Sequence, residues 1–338
     1  MLTVAGVWLL GYVLAMLRIS VPYVMAALGG TVCERAGVTN IALEAFLLLA
    51  ALGAALGAPY GAPAAVLCGL GAGLATAALY GLLVVFWRGD QIVCGVAMFM
   101  LADGLSRFLL KVVFGSTSNS PRLPALVGRG ALGLGLLAVV SVGLLHFFMY
   151  SSVFGLRLRA VGDKPQAARA LGVSVPAVRM AAVLLSGLLT AVGGVYLVFD
   201  QRQFVALMSG GRGFLALAAM IFGGWRPLPA ALAALLFAAA EALGIRLQAS
   251  GLHLPNWLTQ LIPYALTLVA LLLRGTLGTR RQLAPAALGQ PRDEPAAQAA
   301  DEDRDDRPGL HVARLQPQRG PADQPVQRDE HLRPGAGA

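Results

Sequence analysis

Charged side chains are scarce in this sequence. Only 13% of its 338 residues are Asp, Glu, Lys or Arg, whereas 57% are hydrophobic and the mean hydropathy is +0.70. A soluble globular domain carries about 25% charged residues. The shortage excludes an ordinary soluble domain and indicates a chain whose main solvent is lipid.

Cysteine and histidine are also rare. Cys33, Cys68 and Cys94 lie in or beside apolar runs with neither metal-ligand spacing nor an even count, so we interpret them as small buried hydrophobes. Before the C-terminal stretch only His146 and His253 occur, far apart and outside any H-E-x-x-H pattern. A membrane-embedded enzyme needs a nucleophile and a base, or metal ligands, that converge at one place. We therefore expect no metal, no cofactor and no catalytic residue.

Two motifs are missing as well. The net charge is +9, but the arginines stand singly at the edges of apolar runs instead of forming a basic stripe with aromatic residues, which argues against nucleic-acid binding. No G-x-x-x-x-G-K-[ST] pattern occurs, so these residues contain no phosphate-binding loop for ATP. If ATP drives this protein, we expect it to bind a separate subunit.

The apolar residues are grouped into segments that suit a membrane. A helix needs about 20 apolar residues to cross a bilayer, and this ruler gives about ten segments. The sequence therefore predicts an all-α polytopic membrane bundle, rich in small residues that let helices approach closely. The approximate spans are 2–17, 21–33, 40–57, 63–87, 92–113, 131–150, 180–199, 212–225, 227–247 and 256–273.

Two segments are too short to cross unaided. Residues 21–33 and 212–225 adjoin the glycine-containing polar stretches "CERAGVTN" and "MSGGRGF". Non-helical backbone is tolerated at membrane depth only where protein or water satisfies it, so we expect discontinuous half-helices that line a cavity.

Lysine and arginine in the loops predict the orientation. The loop 155–179 is the richest in basic residues and is placed in the cytoplasm; with all ten segments crossing, both termini are cytoplasmic. Residues 282–338 are dominated by Pro, Ala, Gln, Asp and Arg, which predicts a disordered cytoplasmic tail after a transmembrane domain of residues 1–281. The chain is expected in the cell (inner) membrane.

A short polar helix is predicted inside the basic loop. Asp163 is suited to its N-cap and Gln166 to a capping box, while Pro165 lies in the first turn and Gly172 stops the helix. The helix offers a small-residue surface that suits docking in a groove; the alternative is a solvated loop between helices.

The residues around this helix resemble a known family. "FGLRLRAVGDKPQAARALGVSVPAVRMAAVLLSGLLTAVGGVYL" (154–197) resembles the cytoplasmic coupling loop and the following helix of ABC-importer permeases of the ribose and branched-chain amino acid type, closest to the nucleoside and simple-sugar branch. "GGTVCERAGVTNIALEAFLLLAALGAALGA" (29–58) and "SGGRGFLALAAMIFGGWRPLPAALAALLFAAAEALGIRLQ" (209–248) are similar to the same branch.

The resemblance implies a transport subunit with no chemistry of its own. It implies four partners: a separate ATPase subunit that the 163–172 helix contacts, a second permease subunit in a homodimer or heterodimer, an extracytoplasmic substrate-binding protein or lipoprotein, and membrane lipid. The residues expected to couple to the ATPase are Arg159, Gly162, Asp163, Gln166, Ala167, Ala168, Leu171 and Gly172.

Polar residues inside apolar segments are the candidates for the substrate pathway, because charge in a membrane is costly and faces a cavity or a partner. Structural alternatives stay open: Asn40 can cap a helix, Glu44 can pair with Arg35, and Arg212 can pair with Glu44 or Glu241. The candidates are Asn40, Glu44, Gln91, Asp103, Phe204, Arg212 and Glu241.

Asp103, Arg107 and Lys111 form a charged stripe at intervals of four residues. The family usually has an apolar residue at the Asp103 position, so the substrate is left open among a nucleoside, a simple sugar and a branched-chain amino acid. An ion-coupled secondary transporter is the alternative from another class, since it also uses broken helices and intramembrane acids.

Overall fold

A computed structural model describes residues 2–123, 125–249, 265 and 284–289. Across these residues the regular structure is helical, joined by one isolated β-bridge between Asn119 and Val205. The helices are α1 (Leu2–Arg35), α2 (Leu43–Gly57), α3 (Ala62–Gly81), α4 (Gln91–Phe114), α5 (Ala125–Ser151), α6 (Val153–Asp163), α7 (Pro165–Ala170), α8 (Val175–Gln201), α9 (Arg212–Phe222) and α10 (Pro227–Ala249).

The fold class predicted from the sequence is confirmed. Seven of the described helices are long and apolar enough to cross a membrane, whereas α9 is apolar but has only 11 residues. The protein is therefore a polytopic membrane bundle, and α9 is the half-helix expected within 212–225. The predicted segment 256–273 lies outside the described residues except for Ala265, and so does the stretch 290–338.

The separation of residues 2–17 from 21–33 is wrong. Both belong to α1, a single helix of 34 residues that contains Pro22. Proline removes one hydrogen bond from a helix but does not have to end it. The charge that interrupted the apolar run is also neutralised, because Arg18 Nη2 lies 2.8 Å from Asp200 Oδ1 on α8. Residues 21–33 are thus not a half-helix.

The core of the bundle is built from α2, α3 and α8 at very short distances. A Cβ atom added to Gly53 on α2 would lie 2.6 Å from the carbonyl oxygen of Cys68 on α3, and one on Gly69 would lie 2.9 Å from that of Ala50. A Cβ on Gly194 of α8 would lie 2.9 Å from the Cβ of Ala50. Bare backbone is therefore required where these helices meet. Helices α4 and α5, in contrast, have few buried residues among those described.

Contacts define two opposite ends of the bundle. At the α7 end, Arg179 Nε at the start of α8 donates to the carbonyl oxygen of Ala36 just after α1, at 3.3 Å. At the far end, Arg18 meets Asp200 on the last turns of α8, and Arg246 of α10 donates to the carbonyl oxygen of Trp8 at 2.8 Å. Helix α1 thus runs from the far end to the α7 end. The prediction that both termini are cytoplasmic counted residues 2–17 and 21–33 as two crossings. Because they form one helix, that count is reduced by one.

Candidate functional site

Glu44 fixes the start of the half-helix α9. Its Oε1 accepts from the backbone N–H of Gly211 at 2.8 Å and its Oε2 from that of Gly213 at 2.6 Å. A carboxylate at a helix N-terminus satisfies free N–H groups and complements the helix dipole. Only glycine fits at Gly213, because a Cβ there would lie 2.5 Å from the Glu44 backbone nitrogen. Glu44 is 1% exposed, so it acts as a buried cap, whereas Arg35 Nε donates to the carbonyl oxygen of Trp225 at 3.0 Å instead.

Arg212 joins three helices in a second polar group. Its Nη2 forms an ion pair and hydrogen bond with Glu241 Oε1 of α10, and Glu241 Oε2 accepts from the Tyr23 hydroxyl of α1 at 2.7 Å. The guanidinium carbon also lies 5.9 Å from the centre of the Tyr23 ring. Of the two partners open to Arg212, the structure selects Glu241. The two side chains are 16% and 19% exposed, so removing one of them leaves the other as a partly buried charge without its partner, which destabilises the fold.

Asn40 lies in a third, fully buried polar group. Its Nδ2 donates to Ser186 Oγ of α8 at 3.0 Å. Among the described atoms, Asn40 Oδ1 and Thr190 Oγ1 have no hydrogen-bond partner. A Cβ on Gly29 would lie 2.5 Å from Thr190 Oγ1 and 3.3 Å from Ser186 Oγ, so α1 comes very close to α8 at this point. Asn40 does not cap α2, which begins at Leu43 after Ala42.

Gln91 and Phe204 have structural contacts in the described conformation. Gln91 Oε1 accepts from the backbone N–H of Thr39 at 2.6 Å and so braces the connection between α1 and α2. Phe204 is fully buried at the far end, where its backbone N–H donates to Ser120 Oγ at 2.9 Å. The Phe204 ring therefore has no exposed surface that a solute could meet in this conformation.

Asp103 is the pathway candidate with the most open surroundings. Its Oδ1 lies 2.9 Å from Arg107 Nε, one turn along α4, and the two side chains are 31% and 46% exposed. The pair stands near the middle of a helix long enough to span the membrane. The sequence candidates thus separate into buried groups that join helices and one ion pair on an outward face.

The predicted polar helix exists as α7, but its N-terminal cap is different. Asp163 is the last residue of α6, and the N-cap of α7 is Lys164, which makes no side-chain capping bond. The reason is Pro165: the residue before a proline is pushed out of the helical region, and Lys164 has φ −145° and ψ 80°. The predicted capping box between Asp163 and Gln166 is therefore wrong.

The predicted stop at Gly172 is confirmed. Gly172 has φ +81°, and its N–H donates to the carbonyl oxygen of Arg169 at 2.9 Å, while Val173 donates to Ala168 at 3.0 Å. These bonds satisfy the last carbonyl groups of α7 with a glycine in the left-handed region.

The residues of α7 divide into two faces. Leu171 is 85% exposed, and Gln166, Ala167 and Gly172 are exposed beside it. Ala168, in contrast, is 3% exposed and packs in the hydrophobic core of the bundle, so it cannot contact another subunit directly. Gly162 is also buried, and the guanidinium of Arg159 stacks 5.0 Å from the centre of the Tyr150 ring.

Comparison with known proteins places this architecture. The family model described as "Branched-chain amino acid transport system / permease component" matches residues 12–271. The chain belongs to this permease family. This membership confirms the resemblance seen in the sequence, and the protein is a multi-pass membrane permease, a component of a transport system.

Several relatives of the permease cover most of its length. Guanosine ABC transporter permease protein NupQ of Bacillus subtilis is 34% identical over 305 residues, which are 82% of this chain and 94% of that protein. Nucleoside ABC transporter permease protein NupC of Lactococcus lactis is 33% identical over 285 residues, 76% and 90% of the two chains. Glucose ABC transporter permease protein TsgB13 of Haloferax volcanii is 29% identical over 248 residues, 65% of each. No solved structure matches the permease.

Sequence reasoning missed several residues that hold the permease's polar groups together. In the sequence, Tyr23, Ser186 and Thr190 look like ordinary members of apolar segments, because a single hydroxyl residue in such a segment does not indicate a polar contact. The sequence marked Trp225 as an aromatic residue at a helix end but did not reveal its contact: its indole Nε1 donates to Glu34 Oε2 at 2.7 Å, which fastens the end of α9 to the end of α1. Its signal was the pair of glycines before it, because Gly224 and Trp225 both adopt positive φ and turn the chain sharply.

Proposed function

We propose that this permease is the membrane subunit of an ATP-binding-cassette importer and forms the pathway for a nucleoside. The two relatives named for guanosine and for nucleosides, similar over 82% and 76% of this chain, support the nucleoside. A simple sugar is the second candidate, supported by the glucose permease of Haloferax volcanii. A branched-chain amino acid, named in the family's description, is the third.

The exposed helix α7 carries the proposal of a separate ATPase partner. Leu171 is 85% exposed on a polar segment between spanning helices, and burying its side chain in a partner subunit would be favourable. Gln166, Ala167 and Gly172 form the same surface, whereas Asp163, Ala168 and Gly162 position it. This permease is then moved by its partner and hydrolyses no ATP itself.

The seven pathway candidates keep that role in the proposal, with a division of labour. Asp103 on the outward face of α4 is suited to meet solute or a second permease subunit, because an ion pair at the middle of a spanning helix is not left in lipid. Glu44, Arg212 and Glu241 are suited to fix α9, whose start marks the broken helix beside the pathway. Asn40 and Phe204 are buried in the described conformation and reach solute only after helices move, whereas Gln91 is half-buried and is suited to brace the connection beside the pathway.

The α7 end is proposed to be cytoplasmic, with an extracytoplasmic substrate-binding protein at the far end. Residues 1–281 form the transmembrane domain and 282–338 the cytoplasmic C-terminal tail. The sequence prediction that this whole tail is disordered is wrong for residues 284–289, because Ala287 is buried and its N–H donates to the carbonyl oxygen of Gly162. Because α1 is one crossing, its first turns then lie on the extracytoplasmic side, unlike in the sequence prediction. In a cysteine-free background, a membrane-impermeant maleimide on intact cells should label Tyr60→Cys but not Arg157→Cys; the reverse pattern would overturn this orientation.

An ion-coupled secondary transporter remains the competing function. The buried acids Glu44 and Glu241 would suit it, but each already binds a fixed partner, and such a transporter has no use for the exposed Leu171 surface.

Uptake of radiolabelled solutes tests the proposed function. A strain that lacks this permease, with and without the gene restored, is given guanosine, adenosine or ribose, before and after ATP depletion. We expect the restored gene to give ATP-dependent uptake of the nucleosides. Excess unlabelled guanosine should inhibit this uptake, whereas excess ribose should not. Uptake that survives ATP depletion and depends on the proton gradient would support the secondary transporter instead.

A further inference from the structure

Residues 284–289 are the part of the C-terminal stretch that the structure describes, and they lie against the α7 end of the bundle. The backbone N–H of Ala287 donates to the carbonyl oxygen of Gly162 at 3.0 Å. The N–H of Leu288 donates to the carbonyl oxygen of Pro285 at 3.0 Å, which closes a turn. The segment is thus a compact turn that its backbone fastens to the end of α6.

One side chain of this turn fits a niche made for a small residue. Ala287 is 2% exposed, whereas its neighbour Ala286 is exposed. A Cβ atom added to Gly37 would lie 3.3 Å from the Cβ of Ala287, so the methyl group sits against a bare Cα. A well-packed niche of this kind leaves no room for a bulky side chain such as tryptophan, whereas cysteine, the next larger apolar residue, differs from alanine by one atom.

The niche lies at the joint of three helices. Gly37 follows α1, Gly162 is next to the end of α6, and a Cβ on Gly162 would lie 3.3 Å from the Gly37 backbone nitrogen. Arg179 of α8 is buried beside them, with Nη2 3.3 Å from the position of a Cβ on Gly37. The turn therefore covers the point where α6, which leads directly into α7, meets the end of α1.

The far side of the turn reaches the connection between α1 and α2. A Cβ at Gly289, which has φ +76°, would lie 3.7 Å from Thr39 Oγ1. Thr39 is in turn held by Gln91 and by Tyr80, whose hydroxyl donates to the Thr39 carbonyl oxygen at 2.5 Å. The turn thus touches both the base of the α7 element and the connection that leads to Glu44.

We propose that residues 284–289 form a C-terminal latch, a segment of this chain that binds the α1–α6–α8 joint and ties α7 to the membrane helices. The latch then adds to the direct contact of Gly162 with the end of α1, and movement of α7 is passed in full to the end of α1 and to the α1–α2 connection while the latch is bound. The binding of the latch stands on its own contacts; its effect on transport rests on the coupling role of α7 proposed above.

Cysteine labelling of the full-length permease tests the binding of the latch. In a background with Cys33, Cys68 and Cys94 replaced by alanine, Ala287→Cys is compared with Ala286→Cys. With the purified permease, we expect a maleimide to modify Ala287→Cys at least about tenfold more slowly, because labelling requires the latch to open. Ala286→Cys is the matched control, since it differs by one residue and is exposed.

Equal labelling rates at the two positions would overturn the latch. This result does not depend on any transport assay, so failure of the nucleoside proposal and failure of the latch are distinguishable. If Ala287→Cys is labelled slowly and the unmodified permease takes up no nucleoside, the latch is supported and the proposed substrate is contradicted.

Larger substitutions test the effect on coupling. Ala287→Trp does not fit the niche, whereas Ala286→Trp points away from it and serves as the control. In the reconstituted permease and ATPase, we expect Ala287→Trp to lower the amount of solute carried per ATP hydrolysed by about tenfold, with ATP hydrolysis continuing. Equal transport per ATP in the two variants, with equal amounts of folded protein, would contradict control by the latch.

Discussion

Replacing Leu171 by aspartate is expected to abolish uptake while the permease remains folded in the membrane. Leu171 follows α7 and is 85% exposed. Its backbone N–H donates to the carbonyl oxygen of Ala167 at 3.2 Å, a bond that any side chain keeps, so the change leaves the described fold intact. Burying a leucine side chain in a partner contributes about 1.5–3 kcal/mol. Its loss alone weakens binding by about 10-fold to 100-fold, and the buried charge adds to the loss.

The measurement has two parts. Co-purification of the ATPase subunit with tagged permease reports binding, and nucleoside uptake reports transport. Leu171→Met is the matched control, because it keeps an apolar side chain of similar volume and should retain both. Leu171→Asp with normal uptake and normal co-purification would show that α7 does not dock on an ATPase.

Replacing Glu44 by alanine is expected to lower stability and transport together. The Glu44 carboxylate holds two backbone N–H groups at the start of α9, and hydrogen bonds to a charged group contribute about 1.5–3 kcal/mol each. Alanine leaves both N–H groups buried without an acceptor. The start of α9 is then no longer tied to α2, and we expect loss of most uptake and a lower thermal unfolding temperature in detergent.

Asp90 provides the control for this prediction. It too is an acid at a helix N-terminus, and its Oδ1 accepts from the N–H groups of Ile92 and Val93, each at 2.9 Å. Asp90 is exposed, so water replaces it when Asp90→Ala removes the cap, at a cost of about 1 kcal/mol. If Glu44→Ala is no more harmful than Asp90→Ala, Glu44 is not what fixes α9.

The fold was predictable from the sequence where apolar length decides the outcome. The predicted segments 92–113 and 180–199 correspond to α4 and α8, because a continuous apolar run of this length forms a membrane-spanning helix. The prediction failed at α1, since an apolar ruler treats Arg18 as the end of a run. The charge is neutralised by Asp200, which lies 182 positions along the chain and is invisible to a local pattern.

The candidate site was predictable as a set of residues but not as a set of contacts. Intramembrane charge correctly drew attention to Glu44, Arg212 and Glu241, which the structure brings together around the start and flank of α9. The sequence left open which acid binds Arg212, because spacing within a helix says nothing about contacts between helices. At α7 the capping pattern misled, since the conformational restriction before Pro165 is stronger than one side-chain cap.

The glycine contacts between α2, α3 and α8 limit which helices of the permease can move relative to one another. Where a single methyl group would collide with the neighbouring backbone, there is no clearance for one helix to slide or roll past another. These three helices therefore behave as one rigid body. The half-helix α9 belongs to the same rigid body, since its Gly213 meets the backbone of Glu44 equally closely. We therefore expect a change of access to move the helices with few buried residues, α4 and α5, against this rigid body.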